Sequence, residues 1–202
     1  MEQASLVVGL GNPGAEYVRT RHNAGFLVVE RLAGRWSAAW RKESRFKARM
    51  ARADRDGQRV WFCQPQTYMN LSGEAVRKVM DYYQVPLARL LLVVDDADLP
   101  LGELRMRPKG GCGGHHGLES VREHAGADNA RLRVGIGRRA AAGRQLTGHV
   151  LGVFAPDEQE LLEKVLETAA DQVECWVTAG INEVMNKFNG VIDGPGLKKE
   201  AE

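Results

Sequence analysis

Leu90–Val94 reads LLLVV, five consecutive apolar residues with no polar position among them. A strand that is apolar at every position has both faces covered, so this run is the centre of a sheet with helices on either side. Ser5–Gly9 (SLVVG) is a second short, β-branched run that ends in glycine and reads as another buried strand. Outward from these, Asn23–Trp36 places Phe26, Val29, Leu32 and Ala33 at helical spacing, and Leu71–Tyr83 places Val76, Val79, Met80 and Tyr83 on one stripe. Phe46–Arg52 alternates apolar and basic residues, and the Asp56-Gly57 turn after it leads into Val60–Cys63, which predicts a hairpin. Leu104–Arg107 and Leu132–Ile136 are further strands, Gly110–Gly117 a loop and Leu118–His124 a short helix. A last long helix starts at Pro156–Asp157, with Leu161, Leu162, Val165, Leu166, Ala169, Val173 and Trp176 facing the sheet. Strands alternating with helices define the α/β class: a single-domain α/β/α sandwich with a mixed, mostly parallel sheet. The domain is expected to span residues 1–190, followed by a flexible C-terminal tail at 191–202.

Composition narrows the function classes. The chain has 202 residues, 44% of them hydrophobic and 27% charged, which is ordinary for a folded domain. No run approaches the ~18 apolar residues of a membrane span, and the start lacks the basic and apolar regions of a secretory signal. Three cysteines without a Cys-x-x-Cys pairing suit a reducing compartment, so a cytoplasmic location is expected. The net charge of +2 conceals an uneven distribution. Eight basic residues face three acids between Arg41 and Arg59, whereas seven acids accompany one lysine between Asp157 and Glu174. A basic face on a nearly neutral protein can still steer a polyanion.

Gly9-Leu10-Gly11-Asn12-Pro13-Gly14 has the form G-x-G-x-x-G after a strand. A dinucleotide site needs a helix to open directly from that loop, so that its N-terminus meets the pyrophosphate. Pro13 and the segment Ala15–Arg21 postpone the helix, and Glu30 falls within it rather than at a strand tip. The pattern is therefore not read as a nucleotide site. Other polar residues gather where strands end or helices begin: Asn12, His22-Asn23, Asn70, Asp95 and the KGGCGGHHGL stretch at 109–118. A histidine, a carboxylate and several carboxamides are what a water-activating hydrolase requires. The histidine takes the proton, the carboxylate holds its tautomer, and carboxamide N–H groups meet the developing oxyanion. Spacing alone also allows His22 and Asn70 to flank or cap helices and Asp95 to sit in a turn.

In this order, VVGLGNPG-x-EY-x-x-TRHNAG, QPQTYMNLSG, VVDDADLPLG, GG-x-GGHHGL and RLRVGIGR resemble bacterial-type peptidyl-tRNA hydrolases, from about residue 6 to residue 188. The resemblance implies hydrolysis of the ester between a peptide and the 3′-terminal ribose of tRNA. It implies His22 as catalytic base, Asp95 as the carboxylate that keeps it basic, and Asn12 as the residue that tells blocked from unblocked aminoacyl-tRNA. Tyr17, Tyr68 and Asn70 match positions that contact the tRNA end or the peptide. Arg107 and Arg133 match basic residues that grip the tRNA 5′ phosphate. It also implies peptidyl-tRNA as the one partner, a monomer with no obligate protein partner, no membrane and no cofactor. Plant organelle splicing factors resemble the same family, which leaves a non-catalytic RNA-binding protein as one rival; a nucleotide-binding oxidoreductase, disfavoured by the delayed helix after Gly14, is the other.

One position departs from the pattern. His116 stands where the family commonly has asparagine, a residue that helps to place the water and the tRNA terminus. A neutral imidazole donates one hydrogen bond and accepts another, so the role can persist with altered rate and pH dependence. Cys112-x-x-His115-His116 resembles half of a zinc site, but no second Cys/His pair lies nearby in sequence, and no metal is expected.

Overall fold

The computed structural model describes residues 4–137, 146–188 and 190–191. Among the described residues eight strands form one sheet: β1 (Ser5–Gly9), β2 (Arg41–Glu43), β3 (Ala48–Arg55), β4 (Gln58–Pro65), β5 (Leu90–Asp96), β6 (Glu103–Arg107), β7 (Ala130–Gly135) and β8 (Gly190–Val191). Their order is β2-β3-β4-β1-β5-β7-β6-β8. The four central strands, β4, β1, β5 and β7, run parallel. Antiparallel partners flank them on both sides, β3 and β2 at one edge and β6 and β8 at the other. The antiparallel share thus exceeds the hairpin legible in the sequence, because β6 also returns against β7.

Six helices cover the sheet among the described residues: α1 (Ala24–Arg35), α2 (Ser72–Tyr83), α3 (His116–Ala125), α4 (Leu146–Val150), α5 (Gln159–Ala179) and α6 (Ile181–Phe188). Alternation along β1 and β5 divides the core. Leu6, Val8, Leu92 and Val94 pack with Val76, Val79 and Met80 of α2 and Leu118 and Val121 of α3. Val7, Leu91 and Val93 pack on the other face with α1, α5 and Val184 of α6. LLLVV is completely buried, as a strand between two helical layers must be.

The differences from the sequence reading are local. In α1 it is Val28 rather than Phe26 that enters the core beside Val29, Leu32 and Ala33. Proline at 156 opens a 3₁₀ turn over Pro156–Glu158, and the α-helix proper begins at Gln159. The short elements β2, α4, α6 and β8 were not anticipated. The expected tail lies outside the described residues apart from Val191. No described helix is long and apolar enough to cross a membrane.

Two glycines set how closely α1 approaches the sheet. A Cβ on Gly25 would lie 2.3 Å from the Val93 carbonyl oxygen and 2.6 Å from the Leu10 nitrogen. A Cβ on Gly9 would lie 2.3 Å from the Gly25 carbonyl oxygen. The first turn of α1 therefore rests directly on the carboxyl ends of β1 and β5, and brings the preceding turn, Arg21–Asn23, over Asp95.

Candidate active site

Asp95 closes the buried part of β5 and is itself 5% exposed. His22, in the turn held down by Gly25, places Nδ1 2.9 and 3.0 Å from the two Asp95 carboxylate oxygens. A third side chain completes the cluster: His115 Nε2 lies 3.1 Å from Asp95 Oδ1. His115 is also the N-cap of α3, and its Nδ1 accepts from the amides of Gly117 (3.1 Å) and Leu118 (3.3 Å). With Nδ1 accepting, the ring N–H that faces Asp95 is the one on Nε2, and it donates to the carboxylate. Asp95 then receives ring N–H donors from both sides. Burial pushes its carboxyl up, but His115 and His22 outweigh that and draw it down to about 2. His22 in turn carries its proton on Nδ1, which leaves the Nε2 lone pair for the cleft.

That cleft has a volume of about 550 Å³. Asn12, His22, Tyr68, Asn70, Asp95, His116 and Arg133, seven residues singled out in the sequence, line it. Asn12 is fixed from three directions. Its amide donates to Asn23 Oδ1 (2.8 Å), its carbonyl accepts from Asn23 Nδ2 (3.0 Å), and its Oδ1 accepts from the Met69 amide (2.8 Å). With Oδ1 so engaged, the Asn12 NH₂ is a positioned donor. Asn70 is exposed at the rim and does not cap α2, whose N-cap is Leu71. Tyr68 is exposed as well.

His116 is exposed at the rim of the cleft, with Nδ1 3.2 Å from Glu119 Oε2. Adjacent residues at a helix start diverge, so only one of the two histidines reaches the carboxylate. The sequence reading weighed His116 and missed His115. The usable signal was its place one residue before α3, where an acceptor side chain is wanted. Two other expected site residues lie outside the cleft lining. Tyr17 is half-buried in the Ala15–Tyr17 turn, where its carbonyl accepts from the Thr20 hydroxyl. Arg107 is exposed on β6, opposite Arg131. Arg133 is tied to Asp96 (2.8 Å) and the Gly111 carbonyl (2.7 Å), and Arg131 shares that carbonyl at 3.1 Å.

Among the described residues, the ligating atoms of Cys112, His115 and His116 do not form a convergent group. Metal-ligating atoms do come within 4.8 Å of one another at His22, Asp95 and His115. Their separations are those of hydrogen bonds, and the second nitrogen of His115 is committed to two amides, so an ion would have to break this chain to enter.

These features are those of a hydrolase-type site: a histidine held by a buried carboxylate, beside a fixed carboxamide donor, at the carboxyl ends of a parallel sheet. Residues 6–198 match the family described as Peptidyl-tRNA hydrolase. A peptidyl-tRNA hydrolase of Synechococcus sp. (strain JA-2-3B'a(2-13)) is 48% identical over 94% of this chain and 85% of its own length. One from Geobacillus kaustophilus is 46% identical over 91% of this chain and 98% of its own. The crystal structure of peptidyl-tRNA hydrolase from Acinetobacter baumannii superposes with a TM-score of 0.89 at 37% identity, covering 95% of this chain and 97% of that one. The chain belongs to the peptidyl-tRNA hydrolase family.

Proposed function

We propose that the protein hydrolyses the ester joining a peptide, or an N-blocked aminoacyl group, to the 3′-terminal ribose of tRNA. The observation that carries this reading is the His115–Asp95–His22 chain, which leaves His22 Nε2 unprotonated and facing the cleft. Nε2 takes a proton from water as that water attacks the ester carbonyl, Asp95 stabilises the imidazolium that forms, and the imidazolium returns the proton to the ribose 3′ oxygen as the ester C–O bond breaks. The Asn12 NH₂ donates to the oxygen on which negative charge develops. Such a base contributes roughly 10²–10⁴ in rate and one such donor about 10²–10³. A ribose hydroxyl is a far better leaving group than an amine, so an activated water suffices without an acyl-enzyme.

Asn12 and the rim residues Tyr68, Asn70 and His116 would then hold the peptide and the terminal nucleotides. Exposed Arg107, together with Arg133, would meet tRNA phosphate, and Tyr17 would contact the substrate outside the cleft proper. A free α-amino group, with a pKa of about 7.7–8, is mostly cationic at neutral pH and costly to desolvate in a cleft shaped for a peptide. Selectivity for blocked esters follows. The protein works as a cytoplasmic monomer without a cofactor.

The test is deacylation of N-acetyl-aminoacyl-tRNA beside the same tRNA bearing a free amino group, in EDTA. Cleavage of the blocked ester at least about 100-fold faster supports the reading. Equal rates on both esters, or tight tRNA binding without cleavage, would contradict it, and the latter would favour the RNA-binding rival.

A further inference from the structure

We infer that Arg21 is the positioning residue for His22, a buried guanidinium that locks the turn carrying the base to the framework carrying Asp95. The inference rests on the reading of His22 as general base. Arg21 is 6% exposed, although it stands next to a cleft residue. Its Nη2 donates to Glu158 Oε2 at 2.6 Å and its Nη1 to the Ile136 carbonyl at 3.2 Å, while the guanidinium lies 4.7 Å above the Phe154 ring. The main chain is tied in parallel: the Arg21 amide donates to the Gly152 carbonyl at 2.9 Å, and Thr20 bridges to Val153. Glu158 Oε2 also accepts the Ala155 amide at 2.6 Å, so one carboxylate oxygen holds both Arg21 and the entry to α5.

The connection to Asp95 runs through Ile136. Its carbonyl accepts from Arg21, and its amide donates to the Asp96 carbonyl at 3.1 Å, one residue beyond Asp95. Both ends of the His22–Asp95 hydrogen bond are therefore referred to the same residue. The segment that Arg21 grips also follows Val150 and Leu151, which line the cleft. A guanidinium is expensive to bury unless its donors are met by fixed acceptors. Here they are met by two acceptors on separate chain segments, the Glu158 carboxylate and the Ile136 carbonyl. Loss of these bonds would let the imidazole drift, and a shift of about 1 Å in a base costs on the order of 10²-fold.

The test compares kcat and KM of Arg21→Gln, Arg21→Lys and Glu158→Gln. Substrates are N-acetyl-aminoacyl-tRNA and an N-acetyl-aminoacyl ester of a short oligonucleotide ending in CCA. Arg35→Gln, which loses ion pairs on α1 remote from the cleft, controls for general destabilisation. Arg21→Gln is expected to lower kcat about 10- to 100-fold on both substrates with KM within about twofold, and Arg21→Lys to recover part of that loss. Arg35→Gln is expected to keep kcat. If Arg21→Gln does not fold, Glu158→Gln carries the test with a loss of about 3- to 10-fold in kcat. Unchanged kcat in folded variants, or a raised KM with kcat retained, overturns the inference. His22→Ala separates the two levels: if it keeps turnover the base assignment fails, whereas its inactivity beside an active Arg21→Gln removes only the role of Arg21.

Discussion

At the residue scale the site turns on which atoms of two histidines carry protons, and the neighbours decide it. His115 cannot be protonated on Nδ1 while that atom accepts two helix amides, so it donates to Asp95 through Nε2. Asp95 is thereby an ionised group in a buried place, stabilised by two donors that a neutral carboxyl would use poorly. Its folded-state pKa, about 2, lies below the ordinary value of about 3.9. The stabilisation is present above the ordinary value and is lost as pH falls toward 2. It is on the order of 2 kcal/mol. Urea unfolding of wild type and Asp95→Asn between pH 2 and 6 measures it. The wild type is expected to lose stability relative to the variant as pH drops from about 4 to 2. A pH-independent difference would mean that Asp95 is not held ionised by its partners.

At the scale of elements, the placement of His22 rests on a helix set close to a sheet. Gly25 touches two chain segments that no side chain could share, whereas Gly34, on the same helix, has nothing near its missing Cβ. Gly25→Ala is expected to cost about 1–3 kcal/mol, a Tm drop of several degrees by scanning calorimetry, together with much of the activity. Gly34→Ala should be neutral or stabilising by up to about 1 kcal/mol, as alanine in an exposed helix position usually is. Equal effects would show that the close approach of α1 is unimportant. The elements themselves were largely legible, because strands such as SLVVG and LLLVV and stripes such as that of α5 announce their burial. Of the pieces that escaped, β2 and β8 are three and two residues long and owe their form to a neighbouring strand rather than to any period of their own. His115 escaped for a related reason: two adjacent histidines look alike until the helix start sends them in different directions. Asn23, which holds Asn12 by two hydrogen bonds, showed in the sequence only as a neighbour of His22.

At the scale of the whole molecule, the acidic half of the charge asymmetry is answered within the fold, and a separate set of cations lies on β6 and β7. The acids of α5 are met by Arg31 and Arg35 of α1 and by Arg55 of the hairpin, so that face is largely self-neutralised. The arginines of β6 and β7 are cross-strand neighbours, Arg105 opposite Arg133 and Arg107 opposite Arg131, on the sheet face that also carries α3. Arg131 is buried, so on this face exposed Arg107 and the partly exposed Arg133 are the cations that the proposed reaction would use for tRNA phosphate, apart from the chemistry proposed at Asp95. The most direct measurement is single-turnover deacylation of N-acetyl-aminoacyl-tRNA by wild type and His22→Ala, with tRNA affinity measured on the same preparations at fixed salt. Turnover is expected to fall at least about 100-fold in His22→Ala while affinity stays within a few-fold. Turnover within about tenfold of wild type, with tRNA still bound, would contradict His22 as the base.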